Sequence, residues 1–304
     1  MKLLPVFISG FFLGSFVLTA CDKIENPIDL VDEGPDTTGI SHQFNDTTWN
    51  DTIGNFKRIV LEDYTGHTCG NCPAASIAAE NLHNQYGDTL LVAAIHAGGF
   101  AAPDADYPAD YRTEAGTDYD NFFKVSTLGN PNGLINRRGY TAQDPAQSVV
   151  PYPSWGTKLS ELTSDPSYMN SPVKLKVRNI YNTEKRINSI NVQGEVQLSL
   201  TGSYEMVAWV LESGIVSSQK DYSKPAGQQK VTDYVHNHVL RKSYPGTWGD
   251  AVITGQATAG DKFEKTFSFE MDNEWNVANS EILIVLYDVS NREIIQAAKV
   301  KIGS

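Results

Sequence analysis

Three cysteines are the residues of this 304-residue chain whose positions support defined chemistry. Cys69 and Cys72 form the sequence Cys-Gly-Asn-Cys, which Pro73 follows, and Cys21 stands alone after an apolar stretch. Two cysteines at this spacing can form and break a disulfide by thiolate attack through a mixed disulfide. The pair therefore predicts thiol/disulfide exchange.

Alternating residue types predict a βαβ unit around the pair. Residues 58–64 are typical of a strand, residues 73–86 of a helix and residues 89–96 of a second strand. Gly87 follows the helix as a C-terminal stop. A strand, a helix and a strand within about 40 residues indicate two parallel strands joined by a crossover helix.

These elements place Cys69 at or near the N-terminus of the helix. The unpaired N–H groups and the positive end of the helix dipole favour a thiolate at such a position. We therefore expect Cys69 to be the attacking nucleophile. Cys72, one turn farther into the helix, is expected to attack the mixed disulfide and release the product.

The segment from Val60 to Cys72 resembles the active-site strand and motif of the thioredoxin superfamily. The resemblance implies that Asp63, six residues before Cys69, is a buried proton acceptor for the second cysteine. Alternation along the strand would equally allow Glu62 to face inward. The choice between the two acids stays open at this point.

The same resemblance implies a cis-proline beside the cysteine pair, and Pro131 is the candidate; an ordinary trans turn proline is the alternative. Two residues depart from the family's common pattern, Thr68 before the pair and Asn71 within it. The direction of electron transfer is therefore left open. His67 either stabilises the thiolate or lies on an exposed loop.

Two other readings of the cysteine pair remain. A Cys-x-x-Cys sequence supplies half of a zinc site, but no further cysteine completes it. A permanently oxidised, structural disulfide is the second alternative. His236 and His238 are expected on one face of a strand, where a solvated sheet face explains them better than a metal does. We expect neither a metal nor a cofactor.

Residues 1–20 predict a lipoprotein signal peptide, with Lys2 before a short apolar run. The end of this run, from Leu18 to Cys21, resembles a bacterial lipobox, so Cys21 is the expected site of lipid attachment. The membrane would then be a partner through the N-terminal lipid. A cleaved leader with a leftover cysteine and a leader retained as an anchor are the alternatives.

Charge and composition describe the next segment. Residues 21–55 are acidic and poor in apolar side chains, which predicts a flexible tether. The whole chain has a formal net charge of −12. Such a balance argues against nucleic acid as a partner.

The remaining chain predicts two domains. Residues 56–166 are expected to form an α/β, thioredoxin-like domain, which a strand at residues 134–138 and a helix at residues 154–163 complete. Its insertion, residues 98–125, alternates acidic and aromatic residues that either contact a partner or pack inward from a helical cover. Residues 172–304 predict an all-β, sandwich-like domain.

The strands of this second domain are predicted from its residue patterns. The segments 173–177, 192–200 and 263–269 alternate with period two, as does the run 205–212, whereas residues 282–287 are continuously apolar. A continuous apolar run suits a strand that is buried on both faces.

The whole chain beyond residue 20 resembles the lipoprotein family of Bacteroidetes related to outer membrane protein twenty-eight. The resemblance rests on the lipobox, on the cysteine motif, on the segment from Gly129 to Arg137 and on the segment from Asp233 to Arg241. It implies an outer-membrane lipoprotein, on the periplasmic or the surface side, with an unknown thiol or disulfide partner protein. The alternative is a surface binding or adhesion lipoprotein with a structural disulfide.

Overall fold

The computed structural model describes residues 56–302. The predicted signal peptide, the predicted lipid site Cys21 and the predicted tether lie outside the described residues. The described helices are α1 (Cys72–Tyr86), α2 (Glu114–Phe123), α3 (Trp155–Thr163) and α4 (Pro166–Met169). The described strands are β1 (Ile59–Thr65), β2 (Leu90–His96), β3 (Asn132–Ile135), β4 (Val149–Pro151), β5 (Val173–Asn182), β6 (Ile187–Val196), β7 (Leu200–Glu212), β8 (Ile215–Lys220), β9 (Lys230–His236), β10 (Val239–Tyr244), β11 (Asp250–Ala257), β12 (Lys262–Glu270), β13 (Ser280–Asp288) and β14 (Ile294–Lys301).

A mixed sheet of nine strands forms the centre of the molecule. Eight of its strands run in the order β14-β13-β7-β10-β2-β1-β3-β4, and β11 pairs with the first half of β7. Strand β2 is parallel to both of its neighbours, β1 and β10. The link to β10 is short: Val239 pairs with Ala94, whose N–H donates to the carbonyl of His238 at 2.8 Å. Strands from both predicted domains therefore share one sheet.

Helices cover the sheet on both sides of β1. Every residue of β1 and β2 is buried, as expected for strands with two covered faces. Helices α1 and α3 pack on one face through Ala75, Ala79 and Leu159. Helix α2 packs on the other face through Tyr119 and Phe123. The aromatic residues of α2 thus face inward. This agrees with the alternative in which residues 98–125 form a helical cover.

A second sheet, in the order β12-β6-β5, packs against the C-terminal half of the large sheet. The two sheets share one apolar cluster, to which β7 contributes Met206 and β13 contributes Ile284. Adjacent residues such as Val207 and Val285 point to the opposite face and join the cluster under α2. The described residues are therefore mostly β-sheet, with a few helices.

Most predicted elements are confirmed, with small shifts at their ends. The predicted strand at residues 134–138 ends at Ile135 because Asn136 and Arg137 adopt positive φ angles of 48° and 55°. The single strand predicted at residues 192–200 was wrong. Strand β6 stops at Val196 because the next two N–H groups, of Gln197 and Leu198, turn to the carbonyl of Pro172.

Candidate functional site

Cys69 and Cys72 form a disulfide at the point where β1 passes into α1. Their Cα atoms are 5.4 Å apart. Cys72 is the first residue of α1 rather than a residue one turn inside it, because its N–H still donates to the carbonyl of Cys69 at 3.2 Å in a turn. No acidic side chain lies in the first turn of α1. The disulfide therefore lies at the positive end of the helix dipole.

Asp63 lies on the face of β1 that packs against α1. It lines a cavity of about 330 Å³ together with Cys72, Ser76 and His96. The Asp63 side chain is buried, and its Oδ1 atom has no hydrogen-bond partner among the described residues. Burial raises the pKa of Asp63 to about 7. A carboxyl group in this state can accept or release a proton near neutral pH.

Glu62 faces the opposite side of β1, where its carboxylate pairs with Arg137. Its Oε1 atom accepts a hydrogen bond of 2.7 Å from Nε of Arg137, and both side chains are completely buried. The guanidinium group lies 4.5 Å from the ring centre of Tyr119 and 5.5 Å from that of Trp209. Of the two adjacent acids, Asp63 is the one that shares a cavity with the cysteine pair.

Pro131 precedes β3, whose Asn132 pairs with Tyr64 near the end of β1. It therefore lies at the same end of the sheet as the cysteine loop. The Asn130–Pro131 peptide bond is cis, as the resemblance implied.

A hairpin of β8 and β9, which the sequence did not predict, covers the cysteine loop. The backbone N–H of Lys220 donates to the carbonyl of His67, and that of Tyr222 donates to the carbonyl of Gly70, both at 2.8 Å. Under this cover Cys69 is 3% exposed and Cys72 is 1% exposed. The polar sequence of β8 carries no periodic apolar signal that could have located it.

Gln219 of β8 holds the loop from the side. Its Nε2 atom donates to the carbonyl of Gly66 at 3.2 Å and to the carbonyl of Cys69 at 3.1 Å. The ring of Tyr222 lies directly over Gly70, where a Cβ atom would come within 2.5 Å of it. A side chain at position 70 would therefore displace the ring of Tyr222.

Three imidazoles meet beside the disulfide, from His67, His96 and His236. The ring centres of His67 and His96 are 6.3 Å apart, and those of His96 and His236 are 5.6 Å apart. Burial lowers the pKa of His96 well below its usual value and that of His236 to about 4, so both are neutral near pH 7. His67 is completely buried, so of the two alternatives for this residue the exposed loop was wrong.

The predicted arrangement of His236 and His238 was also wrong. His236 ends β9, whereas His238 lies between β9 and β10 with a φ angle of 56°. The two rings consequently point to different neighbours, His236 to His96 and His238 to Glu80 at 3.6 Å. No group of three or more histidine, cysteine or acidic side chains within residues 56–302 is arranged to hold a metal ion.

Comparison with known proteins places the chain in a family. The family described as outer membrane protein Omp28 matches residues 117–304, which is more than half of the chain. The chain belongs to the Omp28 family. The matched residues begin after the cysteine pair, so membership of the Omp28 family does not by itself assign a role to Cys69 and Cys72. A comparison with curated protein sequences finds no significant match.

Two solved structures match this Omp28-family chain, and one of them resembles it in fold. HBP35 of Porphyromonas gingivalis matches with a TM-score of 0.58 and 18% identity, over 81% of this chain and 76% of that chain. A domain of the outer membrane lipoprotein Omp28 from the same species matches with a TM-score of 0.28 and 17% identity, over 43% of this chain and 88% of that one. Among the described residues of this Omp28-family member, no helix has the length and apolar character needed to cross a membrane.

Proposed function

We propose that this Omp28-family protein is held at the outer membrane by lipid and exchanges thiols and disulfides through Cys69 and Cys72. One observation carries the proposal. The disulfide lies at the N-terminus of α1 and borders a cavity that also holds Asp63, a buried acid with its pKa raised to about 7. A purely structural disulfide does not need a buried ionisable group at its side.

The arrangement of elements supports a thioredoxin-like assignment for the N-terminal part. In chain order β1, α1, β2, α2, β3, β4 and α3 follow one another. Their strands lie in the sheet order β2-β1-β3-β4, with β1 and β2 parallel and β3 antiparallel to β1. The cysteine loop follows the central strand β1, and Pro131 precedes its neighbour β3. A cysteine loop after a strand and a proline beside it are the features that the resemblance at residues 60–72 implies.

In the reducing direction, the Cys69 thiolate attacks one sulfur of a partner disulfide. A mixed disulfide forms and the other partner sulfur leaves as a thiolate. The Cys72 thiol gives its proton to the Asp63 carboxylate, and the Cys72 thiolate then attacks the Cys69 sulfur. This step restores the internal disulfide and releases the second partner thiolate. The partner gains two electrons, the protein loses two, and the oxidising direction is the reverse.

The proposed anchor is the lipid on Cys21. The apolar leader and the small residues before Cys21 support it, and residues 21–55 would hold the folded part away from the membrane. Replacing Cys21 by Ser should abolish labelling with radioactive palmitate and release the protein from the membrane fraction. A Cys21→Ser protein that stays labelled would contradict this anchor.

The decisive test of exchange is the reduction potential of the Cys69–Cys72 pair. A chain that begins at Asp22 is equilibrated with glutathione buffers, and the free thiols are alkylated and counted by mass spectrometry. A potential between about −120 and −270 mV is expected, the range of exchanging oxidoreductases. A potential below about −300 mV marks a structural disulfide and overturns the proposal.

A trapping experiment tests the order of attack. In cells that express Cys72→Ser, partners should accumulate as mixed disulfides on Cys69, because the resolving thiol is absent. The double variant Cys69→Ser and Cys72→Ser is the control and should trap nothing. Absence of trapped partners in Cys72→Ser cells would count against exchange in the envelope.

The burial of both cysteines favours a second candidate function, that of a binding lipoprotein whose disulfide is structural. With 3% and 1% of their surfaces exposed, neither Cys69 nor Cys72 is open to a protein partner in this conformation. This candidate predicts a reduction potential below about −300 mV and a loss of stability when the pair is replaced by serine. The potential therefore separates the two functions.

A further inference from the structure

We propose that the hairpin of β8 and β9 is a lid over the cysteine loop, which a partner protein must displace before it can reach the disulfide. The identity of the partner as a thiol or disulfide protein rests on the proposed function. The proposal of a lid rests on the contacts that the hairpin makes with the cysteine loop. These contacts are the same whether the disulfide is catalytic or structural.

The hairpin binds the cysteine loop through backbone hydrogen bonds. Lys220 and Tyr222, two residues apart, direct their N–H groups to the carbonyls of His67 and Gly70. Lys220 is the last residue of β8, and Tyr222 lies in the turn that follows it. An extended segment of a partner protein would need the same loop carbonyls. The lid and a partner strand therefore exclude each other.

Side chains complete the cover between these two backbone contacts. Gln219 donates to the carbonyls of Gly66 and Cys69, which the backbone of β8 does not reach. Tyr222 places its ring over Gly70, yet 51% of this side chain remains exposed. The lid thus rests on four hydrogen bonds to carbonyls of the cysteine loop and on one ring, a closure that a few substitutions can loosen.

The hairpin forms a two-stranded sheet of its own. Among residues 56–302, β8 and β9 pair only with each other and with no strand of the nine-stranded sheet. Residues with positive φ bound the hairpin, Gly214 at 75° and His238 at 56°. Its base is closed by hydrogen bonds of 3.0 Å, from Gly214 N–H to Oδ1 of Asn237 and from His238 N–H to Oγ of Ser213. Rotation about this base would open the loop and leave the large sheet intact.

Further contacts hold the lid on its inner side and at its far end. His236 packs its ring against His96 and Tyr111, at 5.6 and 5.3 Å between ring centres. Lys230 forms an exposed ion pair with Asp106, with Nζ and Oδ1 2.9 Å apart. An exposed pair contributes little, so the contacts with the cysteine loop are the ones that a test should remove.

The test measures how fast a protein reductant reaches the disulfide. The full chain in detergent is mixed with reduced thioredoxin, whose dithiol passes two electrons to the Cys69–Cys72 disulfide and is itself oxidised. Gln219→Ala and Tyr222→Ala should each raise the second-order rate roughly tenfold, because lost contacts increase the open fraction. Val216→Ala, on the outer face of the hairpin and 61% exposed, is the matched control and should leave the rate unchanged.

Equal rates in the wild type, both lid variants and the control would overturn the lid. Hydrogen exchange of the wild type gives an independent reading that does not depend on the variants' folding. The N–H groups of Lys220 and Tyr222 should exchange through a local opening, faster than those of β1. Exchange of these groups only on global unfolding would also overturn the lid. A potential below that of exchanging proteins would instead overturn only the proposed function.

Discussion

At the scale of single residues, two adjacent acids on β1 have opposite environments, one beside a cation and one in a cavity without a cation. Glu62 pairs with Arg137, and Asp63 faces a cavity beside Cys72 without a cation. The spacing from Cys69 identified Asp63 only through a family resemblance. Sequence alternation could not choose, since β1 is buried on both faces and the partner of Glu62 lies 75 residues away.

Asp63 should make stability depend on pH. Because burial raises its pKa to about 7, the folded protein keeps the proton between about pH 4 and pH 7, where the unfolded chain has lost it. The free energy of unfolding should therefore fall as the pH rises through this window. Asparagine does not ionise, so Asp63→Asn should not lose stability in this way. At pH 8 its free energy of unfolding should exceed that of the wild type by up to roughly 4 kcal/mol, and at pH 4 this gain should be absent.

Urea unfolding at pH 4 and at pH 8 measures this difference. Asp144→Asn, at an exposed loop position, is the matched control and should show the same difference from wild type at both pH values. An Asp63→Asn protein with no extra stability at pH 8 would show that the carboxylate has a favourable charged environment in the folded state.

The buried pair of Glu62 and Arg137 should be costly to break. Glu62→Gln leaves the guanidinium charge inside an aromatic surround without its counter-ion, which should lower the free energy of unfolding by about 3 to 5 kcal/mol. Glu161→Gln removes an exposed partner of Lys158 and should change it by about 0.5 kcal/mol or less. Urea titration compares the two variants. A loss near zero for Glu62→Gln would mean that water reaches the site.

At the scale of elements, the sequence predicted the strands and helices that bury an apolar pattern. Strands β1, β2 and β13 and helix α1 follow from their residue types. The hairpin of β8 and β9 could not be predicted in the same way. Its residues donate hydrogen bonds to carbonyls of the cysteine loop, which lies far away in sequence. These contacts impose no periodic pattern of apolar residues on the hairpin.

The end of β1 depends on a close backbone approach. A Cβ atom at Gly66 would lie 2.4 Å from the carbonyl carbon and oxygen of Phe100 and 2.6 Å from the nitrogen of Ala101. Gly66→Ala must therefore push the cysteine loop away from this segment, and it should cost about 1 to 3 kcal/mol of stability. Thermal unfolding measures the loss.

The matched control for this substitution is Gly99→Ala. Gly99 lies next to the same contact, and a Cβ atom there would meet nothing within 4 Å. The free energy of unfolding of Gly99→Ala should stay within about 0.5 kcal/mol of that of the wild type. Equal losses for Gly66→Ala and Gly99→Ala would mean that the approach of the two backbones is looser than the structure indicates.

At the scale of the whole molecule, the change of residue pattern near residue 170 marks a change of architecture within a shared sheet. The apolar cluster under α2 combines Val60 and Tyr64 of the first part with Trp209 and Val285 of the second. Sequence patterns report the period of each element, but not which elements pair across the chain. The pairing of β2 with β10 was therefore beyond prediction.

This shared core makes a prediction about fragments. A chain of residues 56–170 would expose the side of β2 that β10 covers, and it would leave Tyr119 without its hydrogen-bond partner Trp209. A chain of residues 171–302 would expose the apolar face of β7 in turn. Because both losses fall in one apolar cluster, neither fragment should fold alone, and an equimolar mixture should recover the fold.

Near-ultraviolet circular dichroism, which reports fixed aromatic side chains, should be flat for each fragment and should return on mixing, with a single complex on size exclusion. The matched control is the uncut chain of residues 56–302, which should give the same spectrum as the mixture. If residues 56–170 unfold cooperatively by themselves, the cysteine-bearing part is an autonomous thioredoxin-like domain and the shared sheet is only a docking contact. Because the hairpin belongs to the other fragment, such an isolated domain would also have its disulfide uncovered and should react faster with reduced thioredoxin.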